Sequence, residues 1–340
     1  MTAATEDAAS RLYYLADVFR PWAIRAAATL HLADHITAGR RSVAELAEAV
    51  HADPDALYRL LRYLETQGLV VETPDGGRFG LTEVGAVLRE DHPARLRSWL
   101  DQDGGMGRAD AAASGILQAV REGEAVYDRY FGSPFWEDLE GHPDRRRAFD
   151  DLMGKQLDLP APHIAAAYDW QDVGHVVDVG GGTGVLLSAI LERVPNAVGT
   201  LVDLPRTAEQ ARHHFQIRQL SHRASAVGRS FFEPLPRGAD VYILNLVLHD
   251  WPDSAAVSIL RRCTEAASPV GRILVIDSIR STRGNYMAST MDLYMLILFG
   301  GKERTMEEFD KLFRAAGLND SRIVGAVGGR TLIECSRGER

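Results

Sequence analysis

The second half of the chain alternates short β-branched runs with helical segments, which limits the folds open to it. The runs are "HVVDVGGG", "VGTLVDLP", "ASAVG", "ADVYILN" and "GRILVIDS", and the helical segments include "VLLSAILERV", "RTAEQARHHF" and "SAAVSILRRCTEAA". Because parallel strands are joined by crossovers that pack on the sheet, this alternation predicts a parallel sheet covered on both faces. Two last runs, "SRIVGAV" and "RTLIECS", have little helix between them and predict an antiparallel hairpin at the sheet edge. We expect a mostly parallel, seven-stranded α/β domain.

The residues before this domain have a mainly helical pattern. Ser42 and Asp53 are placed to cap two helices, and "LVVE" and "RFGLT" flank the turn "TPDGG" as in a hairpin. Helix, turn, helix and hairpin form a winged-helix outline. The chain has 340 residues, more than the ~250 at which a single core usually stops growing. We divide it into a winged-helix domain at 1–100, a helical connector at 101–168 and the α/β domain at 169–340.

Charge argues against a nucleic-acid partner. The formal net charge is -9, whereas binding to nucleic acid depends on Lys and Arg at phosphates. In the second helix of the winged-helix outline, Arg59 and Arg62 have acidic neighbours. The helix therefore lacks the basic face of a recognition helix. Packing against another subunit is the favoured role of this region. A ligand-sensing transcription regulator is the alternative from another class.

Other features bear on location and redox state. No uninterrupted apolar stretch approaches the ~18 residues of a membrane helix, so no membrane partner is expected. The N-terminal "MTAATEDAASRLYYLADVF" lacks the basic-then-apolar order of a secretion signal, so we expect a cytoplasmic protein. Cys263 and Cys335 are expected to be reduced core residues rather than a disulfide.

The first predicted strand of the α/β domain runs into the glycine-rich turn of "VVDVGGGTGVLLSAI". Gly180 and Gly182 lack a Cβ and let a ligand approach the backbone closely. A dinucleotide motif would need glycine where this chain has Val185, and a P-loop lysine is missing, so the turn favours a ligand without phosphate. Asp203 ends the second strand, where a carboxylate can accept hydrogen bonds from both hydroxyls of a ribose. Asp178 is either structural or orients an amino group of the ligand.

The stretch "NLVLHDWPD", residues 245–253, ends another apolar strand with a histidine. Taken alone, His249 is more often a satisfied core residue than a catalyst. It follows the fourth parallel strand, next to the predicted ligand crevice, where a general base is the alternative. We expect Asp250 and Trp251 to be turn and packing residues.

Several motifs together resemble those of one family: "DVGGGTG", "DLP", "SFFEPLP", "LHDWPD" and "GGKERTMEEFDKLFRAAGL". With the winged-helix region they make nearly the whole chain similar to the S-adenosylmethionine-dependent small-molecule O-methyltransferases, in particular bacterial enzymes that act on aromatic polyketides, naphthoates and related phenols. The resemblance implies a Rossmann-like methyltransferase domain, S-adenosylmethionine as cofactor and a homodimer formed through a winged-helix dimerisation domain at the N-terminus.

The resemblance also implies how the cofactor is held. Gly180 and Gly182 would contact its methionine part, Asp203 its ribose, and Ser230 with Phe231 its adenine. Many relatives have aspartate where this chain has Ser230, and a hydroxyl is the weaker acceptor. Asn245 stands where plant relatives carry a lysine, so any contact there is neutral.

The same resemblance places His249 at the general-base position of the family. Asp277 and Glu303 match two acidic positions that flank it, with Glu303 the first choice to hold its second ring nitrogen. Many relatives have glutamate in place of Asp277, which leaves its part open. A phenol has a pKa of roughly 10, so a base within reach eases attack on the methyl group. With an unperturbed pKa of about 6.5, the imidazole is expected to be largely neutral.

The acceptor is expected to occupy an apolar pocket with few polar groups. Candidate lining residues are Phe135, Trp136, Phe149, Met153, Met291, Met295 and Phe299, and Asp292 is placed to touch a substrate hydroxyl. Stripes of this kind are more often core, and that alternative stays open for each. In relatives the first helices of one subunit close the partner's pocket, which makes Tyr13 and Tyr14 candidates for a neighbouring site.

No run of His, Cys and carboxylates has metal-ligand spacing, so no metal site is predicted. The predicted function is transfer of a methyl group from S-adenosylmethionine to a hydroxyl oxygen of an aromatic, polyketide-like secondary metabolite, with His249 as general base. The alternative enzyme uses the same fold for carbon methylation or for chemistry without methyl transfer.

Overall fold

The computed structural model describes residues 3–74, 76–280 and 285–338, with side chains from residue 7 onward. Internal contacts divide the chain into two compact units, Met1–Asp110 and Ala111–Arg340. The helix Gly107–Ala112 spans this division. The three-part division with a separate connector at 101–168 stays a prediction.

The first unit is a helical domain with a small hairpin. Its elements in chain order are Ala3–Leu15 (α1), Phe19–Thr29 (α2), Leu32–Thr37 (α3), Val43–Val50 (α4), Pro54–Thr66 (α5), Val70–Glu72 (β1), Phe79–Leu81 (β2), Glu83–Ala86 (α6) and Leu96–Leu100 (α7), followed by Gly107–Ala112 (α8).

Local sequence signals set the boundaries of these elements. Ser42 forms a capping box with Glu45 at the start of α4, and Asp53 accepts a hydrogen bond from the backbone N–H of Ala56 at 2.9 Å to cap α5. Strands β1 and β2 pair antiparallel, so the predicted winged-helix outline is confirmed. Asp75 of the predicted turn lies outside the described residues.

The second unit begins with helices and continues as an α/β domain. After the 3₁₀ turn Ala113–Gly115, the helices are Ile116–Glu122 (α9), Tyr127–Phe131 (α10), Phe135–Gly141 (α11), Pro143–Leu157 (α12) and Pro160–Ala166 (α13). The α/β part contains His175–Val179 (β3), Val185–Arg193 (α14), Val198–Asp203 (β4), Pro205–Ile217 (α15), Ala224–Gly228 (β5), Val241–Asn245 (β6), the 3₁₀ turn Leu248–Asp250, Asp253–Ala266 (α16), Arg272–Asp277 (β7), Tyr286–Phe299 (α17), Met306–Ala315 (α18), Asp320–Val327 (β8) and Arg330–Ser336 (β9).

The seven strands form one mixed sheet in the order β5-β4-β3-β6-β7-β9-β8. Strands β3 to β7 run parallel, and β9 is antiparallel to both β7 and β8. The predicted fold class, including the terminal antiparallel hairpin, is confirmed. Because β3 has β4 on one side and β6 on the other, the chain reverses direction across the sheet there. The carboxyl ends of these strands therefore border a crevice of the type in which such sheets bind ligands.

Alternating strand residues bury both faces of the sheet. Ile273 and Val275 of β7 belong to the hydrophobic layer that includes α16 and α18, while Leu274 and Ile276 belong to the layer that includes α13, α14 and α15. Both cysteines are buried and free, as expected. Within the described residues, no helix has the length and apolar character to span a membrane.

Candidate active site

The glycine-rich turn after β3 depends on backbone shapes that favour glycine. Gly180, Gly182 and Gly184 have φ values of +69°, +59° and +83°. A Cβ on Gly180 would lie 2.9 Å from Cγ2 of Val247, so the segment that follows β6 runs against this turn. The turn thus brings the ends of β3 and β6 together at the predicted crevice.

Asp178, next to the last residue of β3, is a buried acceptor without a donor. Among the described residues, neither of its carboxylate oxygens has a hydrogen-bond partner. Burial, and then the charge of Asp203, raise the pKa of Asp178 to about 7. Oδ1 of Asn245, at the end of β6, is likewise buried and without a partner in the described part of the chain. Orphaned buried acceptors of this kind require donors from a ligand or from water.

Asp203 closes β4 and is held by backbone donors. Its Oδ2 accepts a hydrogen bond from the N–H of Gly182 at 2.9 Å, and its Oδ1 accepts one from Leu204 at 2.7 Å. Nη2 of Arg146 lies 3.4 Å from Oδ1. Burial raises the pKa of Asp203 to about 6, although Arg146 and the two backbone donors oppose the shift. The N–H groups of Gly182 and Leu204 therefore each hold one oxygen of this carboxylate, next to the glycine turn.

Ser230 and Phe231 follow β5 at the same end of the sheet. Ser230 Oγ accepts a hydrogen bond from the N–H of Phe232 at 3.2 Å. Cε1 of Phe231 would be 3.5 Å from a Cβ on Gly180, and its ring is perpendicular to that of Trp251 at 5.9 Å. An aromatic face therefore lies beside the glycine turn, and Trp251 packs as expected.

His249 lies in the 3₁₀ turn after β6 and is surrounded by carboxylates. Its Nδ1 is 3.0 Å from Oε1 of Glu303 and 3.6 Å from Oδ1 of Asp277. Its Nε2 is 3.4 Å from Oδ1 of Asp250. Both predicted acidic neighbours are thus present, with Glu303 in the closer position. Asp250, which we expected only to shape the turn, is a third.

These charges change the protonation of the imidazole. Although burial acts to lower it, the carboxylates of Asp277, Asp250 and Glu303 raise the pKa of His249 to about 10. Burial raises the pKa of Asp250 to about 7 and that of Asp277 to about 6. The raised pKa favours the charged imidazole in the ligand-free protein, whereas the unperturbed value expected from the sequence favours a neutral ring.

A second loop fixes the turn that carries His249. The Lys302 N–H donates to the His249 carbonyl at 2.9 Å, and the fully buried Arg304 donates to the carbonyls of Leu248 and Trp251, each at 2.6 Å. A Cβ on Gly301 would lie 2.1 Å from the His249 carbonyl oxygen. The backbones of the two loops are therefore in direct contact.

Asp292 contributes to the same loop. Its Oδ1 accepts a hydrogen bond from the backbone N–H of Glu303 at 2.8 Å. One oxygen of Asp292 thus orients Glu303, while its predicted contact with a substrate hydroxyl stays a prediction. His249, Asp277 and Glu303 offer donor atoms that all lie within 4.8 Å of one another, a grouping that can hold a metal ion. Sequence spacing does not reveal this grouping because its members come from three separate segments.

Four of the predicted pocket residues form one aromatic cluster. Phe135 is edge-on to Phe149 at 5.4 Å and to Phe299 at 5.1 Å, while Trp136 stacks on Phe299 at 5.5 Å and is edge-on to Phe149 at 5.6 Å. We call these four side chains the aromatic cluster. The predicted methionines lie on the same helices, Met153 on α12 and both Met291 and Met295 on α17, and their contact with an acceptor stays a prediction.

Comparison with known families decides the class of the protein. Residues 114–319 match the model of an O-methyltransferase domain, and residues 13–91 match an O-methyltransferase dimerisation domain. The chain belongs to the O-methyltransferase family. S-adenosylmethionine is therefore the cofactor of this O-methyltransferase, and residues 13–91 form its dimerisation domain. The orphaned acceptors at the ends of β3 and β6 fit a ligand that carries an ammonium group and hydroxyls.

The relatives of this O-methyltransferase include enzymes of Streptomyces. The 2,7-dihydroxy-5-methyl-1-naphthoate 7-O-methyltransferase of Streptomyces carzinostaticus is 49% identical over 306 residues, which cover 89% of this chain and 91% of the relative. Aclacinomycin 10-hydroxylase RdmB of Streptomyces purpurascens is 42% identical over 309 residues, which cover 89% and 82%.

A solved structure has the same fold over almost the full length. The O-methyltransferase NcsB1 from neocarzinostatin biosynthesis, in complex with S-adenosyl-L-homocysteine and 1,4-dihydroxy-2-naphthoic acid, has a TM-score of 0.89. Its sequence identity to this O-methyltransferase is 45%, and the match covers 96% of this chain and 98% of that chain.

Proposed function

We propose that this O-methyltransferase transfers a methyl group from S-adenosylmethionine to a phenolic hydroxyl of a naphthoate-like aromatic metabolite, with His249 as general base. One observation carries the proposal. The segment that leads to His249 runs against the glycine turn at Val247, so the base lies two residues after a side chain that borders the predicted donor site.

Residues at the strand ends have distinct roles toward the donor, which when bound supplies an electrophilic methyl group on a sulfonium. The orphaned oxygens of Asp178 accept hydrogen bonds from the ammonium group, and Asp203 accepts them from the ribose hydroxyls. Ser230 and Phe231 hold the adenine, the first by a hydrogen bond and the second by its ring face. Asn245 offers its orphaned amide oxygen as a further acceptor.

His249 moves the proton of the acceptor. In the neutral ring Glu303 holds the Nδ1 proton, which leaves Nε2 free to accept the hydroxyl proton as the oxygen attacks. A pKa of about 10 matches that of a phenol, roughly 10, so proton transfer between the two is nearly balanced. Positioning adds to this effect, because orienting two reactants can supply several kcal/mol.

The aromatic cluster supports an aromatic acceptor. Flat rings that already pack edge to face offer the contacts that a bicyclic acceptor makes in an apolar pocket. The acceptor classes named for the relatives point the same way: one is a naphthoate methyltransferase, and a solved neighbour holds 1,4-dihydroxy-2-naphthoic acid. We propose the same substrate class here.

Two other functions are less well supported. The 42% identity to a protein called a 10-hydroxylase favours, as second candidate, the same fold used without methyl transfer. For a DNA-binding regulator, α5 would have to present free cations. Instead Arg59 pairs with Asp55 at 2.6 Å, and Arg62 pairs with Glu72 at 2.8 Å.

The test is incubation with methyl-labelled S-adenosylmethionine and a panel of acceptors. The panel includes 2,7-dihydroxy-5-methyl-1-naphthoate, 1,4-dihydroxy-2-naphthoic acid and simple phenols. We expect a naphthoate product that carries the label on oxygen, with one S-adenosylhomocysteine released per product, by mass spectrometry. A product that gains oxygen without the label would instead establish the hydroxylase-like alternative.

A further inference from the structure

Helix α12 carries two pairs of side chains with different neighbours. Phe149 belongs to the aromatic cluster, and Met153 follows it by four residues. Arg146 and Asp150, also four residues apart, are buried and form an ion pair at 3.0 Å. Residues three, four and seven positions apart lie on one face of a helix, so all four side chains share a face. On this face Phe149 joins the aromatic cluster, while Arg146 and Asp150 contact the region where β4 ends.

The Arg146 guanidinium joins α12 to the predicted ribose site. Its Nη2 lies 3.4 Å from Oδ1 of Asp203 and also donates to the hydroxyl of Thr207, near the start of α15. Asp150 accepts hydrogen bonds from Thr207 at 2.8 Å and from Gln210 at 2.7 Å. Nη1 of Arg146 also lies 3.2 Å from Oε1 of Glu140. One cation therefore has three carboxylate partners, and the guanidinium is the group that joins Asp150 to Asp203.

A second contact ties the same helix to the glycine turn. A Cβ on Gly154 would lie 2.8 Å from Oγ1 of Thr183, which belongs to that turn. Helix α12 therefore touches the donor site at two places about two turns of helix apart, at Arg146 and at Gly154. A shift of the helix cannot occur without a change at one of these contacts.

Electrostatics makes Arg146 the sensitive member of this network. Arg146, Asp150 and Asp203 are all largely buried, and removing the guanidinium would leave these two buried carboxylates without a cation. Arg146 also contacts the aromatic cluster, because its guanidinium lies over the ring of Trp136, 5.7 Å from the ring centre. The same side chain therefore touches groups of both predicted ligand sites.

We propose that Arg146 is a positioning residue that couples the donor site to the acceptor pocket. A ribose held by Asp203 fixes the carboxylate, the carboxylate fixes Arg146, and Arg146 fixes α12 with Phe149. Donor binding then orders the wall of the acceptor pocket, and by linkage an acceptor strengthens donor binding by the same factor. This inference rests on the proposed role of Asp203.

Amide hydrogen exchange of residues 143–157 tests the coupling without a known acceptor. S-adenosylhomocysteine alone should slow exchange across this segment by about fivefold or more in the full-length wild-type protein. In Arg146→Gln the same ligand at saturation should leave exchange of the segment nearly unchanged. Arg146→Lys should restore part of the effect, because it returns the charge without the fork of donors.

Arg147→Gln is the matched control, since Arg147 lies on the same helix with an exposed side chain and pairs only loosely with Asp144, at 3.8 Å. It should keep the wild-type response. If Arg146→Gln does not fold, Thr207→Val removes the hydroxyl between Arg146 and Asp150, and it should reduce the same response.

A wild-type protein without slowed exchange, or an Arg146→Gln protein with the full response, overturns the proposal. Failure of the proposed function has a different signature. If Asp203→Asn leaves the affinity for S-adenosylhomocysteine unchanged in calorimetry, the ribose role of Asp203 is wrong. If Asp203→Asn weakens binding while Arg146→Gln keeps the full exchange response, only the coupling is rejected.

Discussion

His249 and Glu303, 54 residues apart in the chain, are joined by a 3.0 Å contact between Nδ1 and Oε1. The contact fixes which ring nitrogen is free. Nε2 is left with Asp250 at 3.4 Å, a distance longer than a normal hydrogen bond, so an acceptor hydroxyl can take this position. The contact between His249 and Glu303 therefore determines that the acceptor proton reaches the ring at Nε2.

Replacement of His249 by glutamine should remove the base while an amide can still bond to Glu303. We expect turnover to fall by ~10²- to 10⁴-fold, and the affinity for S-adenosylhomocysteine to stay unchanged in calorimetry. His222→Gln, at an exposed position, is the control and should have wild-type turnover. Near-normal turnover of His249→Gln would mean that positioning alone drives the reaction.

The pH dependence of kcat/KM should reflect the raised pKa of His249. Below about pH 10 the neutral imidazole is the minor form, and its fraction grows tenfold with each pH unit. We expect kcat/KM to rise steadily with pH across the neutral range. The stabilisation that protonated His249 gives the fold should be lost as pH rises through about 10. A plateau of kcat/KM that begins near pH 6.5 would show that the neighbouring carboxylates do not raise the pKa of His249.

Asp178→Asn should raise the stability of the ligand-free protein and weaken the binding of S-adenosylmethionine. The pKa of Asp178 is raised to about 7, so its ionised form destabilises the ligand-free protein increasingly as pH rises from about 4 to 7. At pH 8 the variant should melt roughly 5 °C higher than the wild type, with a smaller difference at pH 5. Its affinity for S-adenosylmethionine should drop by about tenfold or more, because a buried charged hydrogen bond is lost.

The matched control is Asp151→Asn, which removes the same charge from an exposed position of α12. It should change neither the melting temperature nor the affinity. Equal melting temperatures of Asp178→Asn and the wild type at pH 8 would show that the charge of Asp178 does not destabilise the ligand-free protein.

Gly301→Ala should displace His249 without changing its side chain. The added methyl group would lie 2.1 Å from the carbonyl oxygen of His249, so the two loops must separate. We expect a lower melting temperature and at least about a tenfold loss of kcat, because small misplacements at a reacting centre are costly. Gly141→Ala is the control, since a Cβ there meets nothing within 4 Å. Wild-type kcat in Gly301→Ala would show that the turn tolerates displacement.

The sequence was informative wherever local patterns determine structure. Alternating strands and helices predicted the parallel sheet, and Ser42 and Asp53 predicted two helix starts, because caps and periodicity act over a few residues. The raised pKa of His249 was not predictable in this way. It depends on carboxylates from the turn itself, from the end of β7 and from the loop before α18, and only the folded chain brings them together.

Arg146 shows the same limit within a single helix. It is the middle of three consecutive arginines, and composition gives no reason to prefer one of them. Successive helical residues point in different directions, so burial of only one follows from where α12 packs. Its neighbours have exposed or half-buried side chains and pair with other acids, at Asp138 and Asp144.

Strand β9 has a position in the sheet that bears on how the protein is made. Residues 330–336 lie between β7 and β8, so the edge of β7 has no partner on that side until they have been synthesised. A nascent chain that has reached residue 277 presents an open parallel edge, which is a template for pairing with other chains. Completion of the catalytic unit therefore waits for the last strand to emerge from the ribosome and insert between its neighbours.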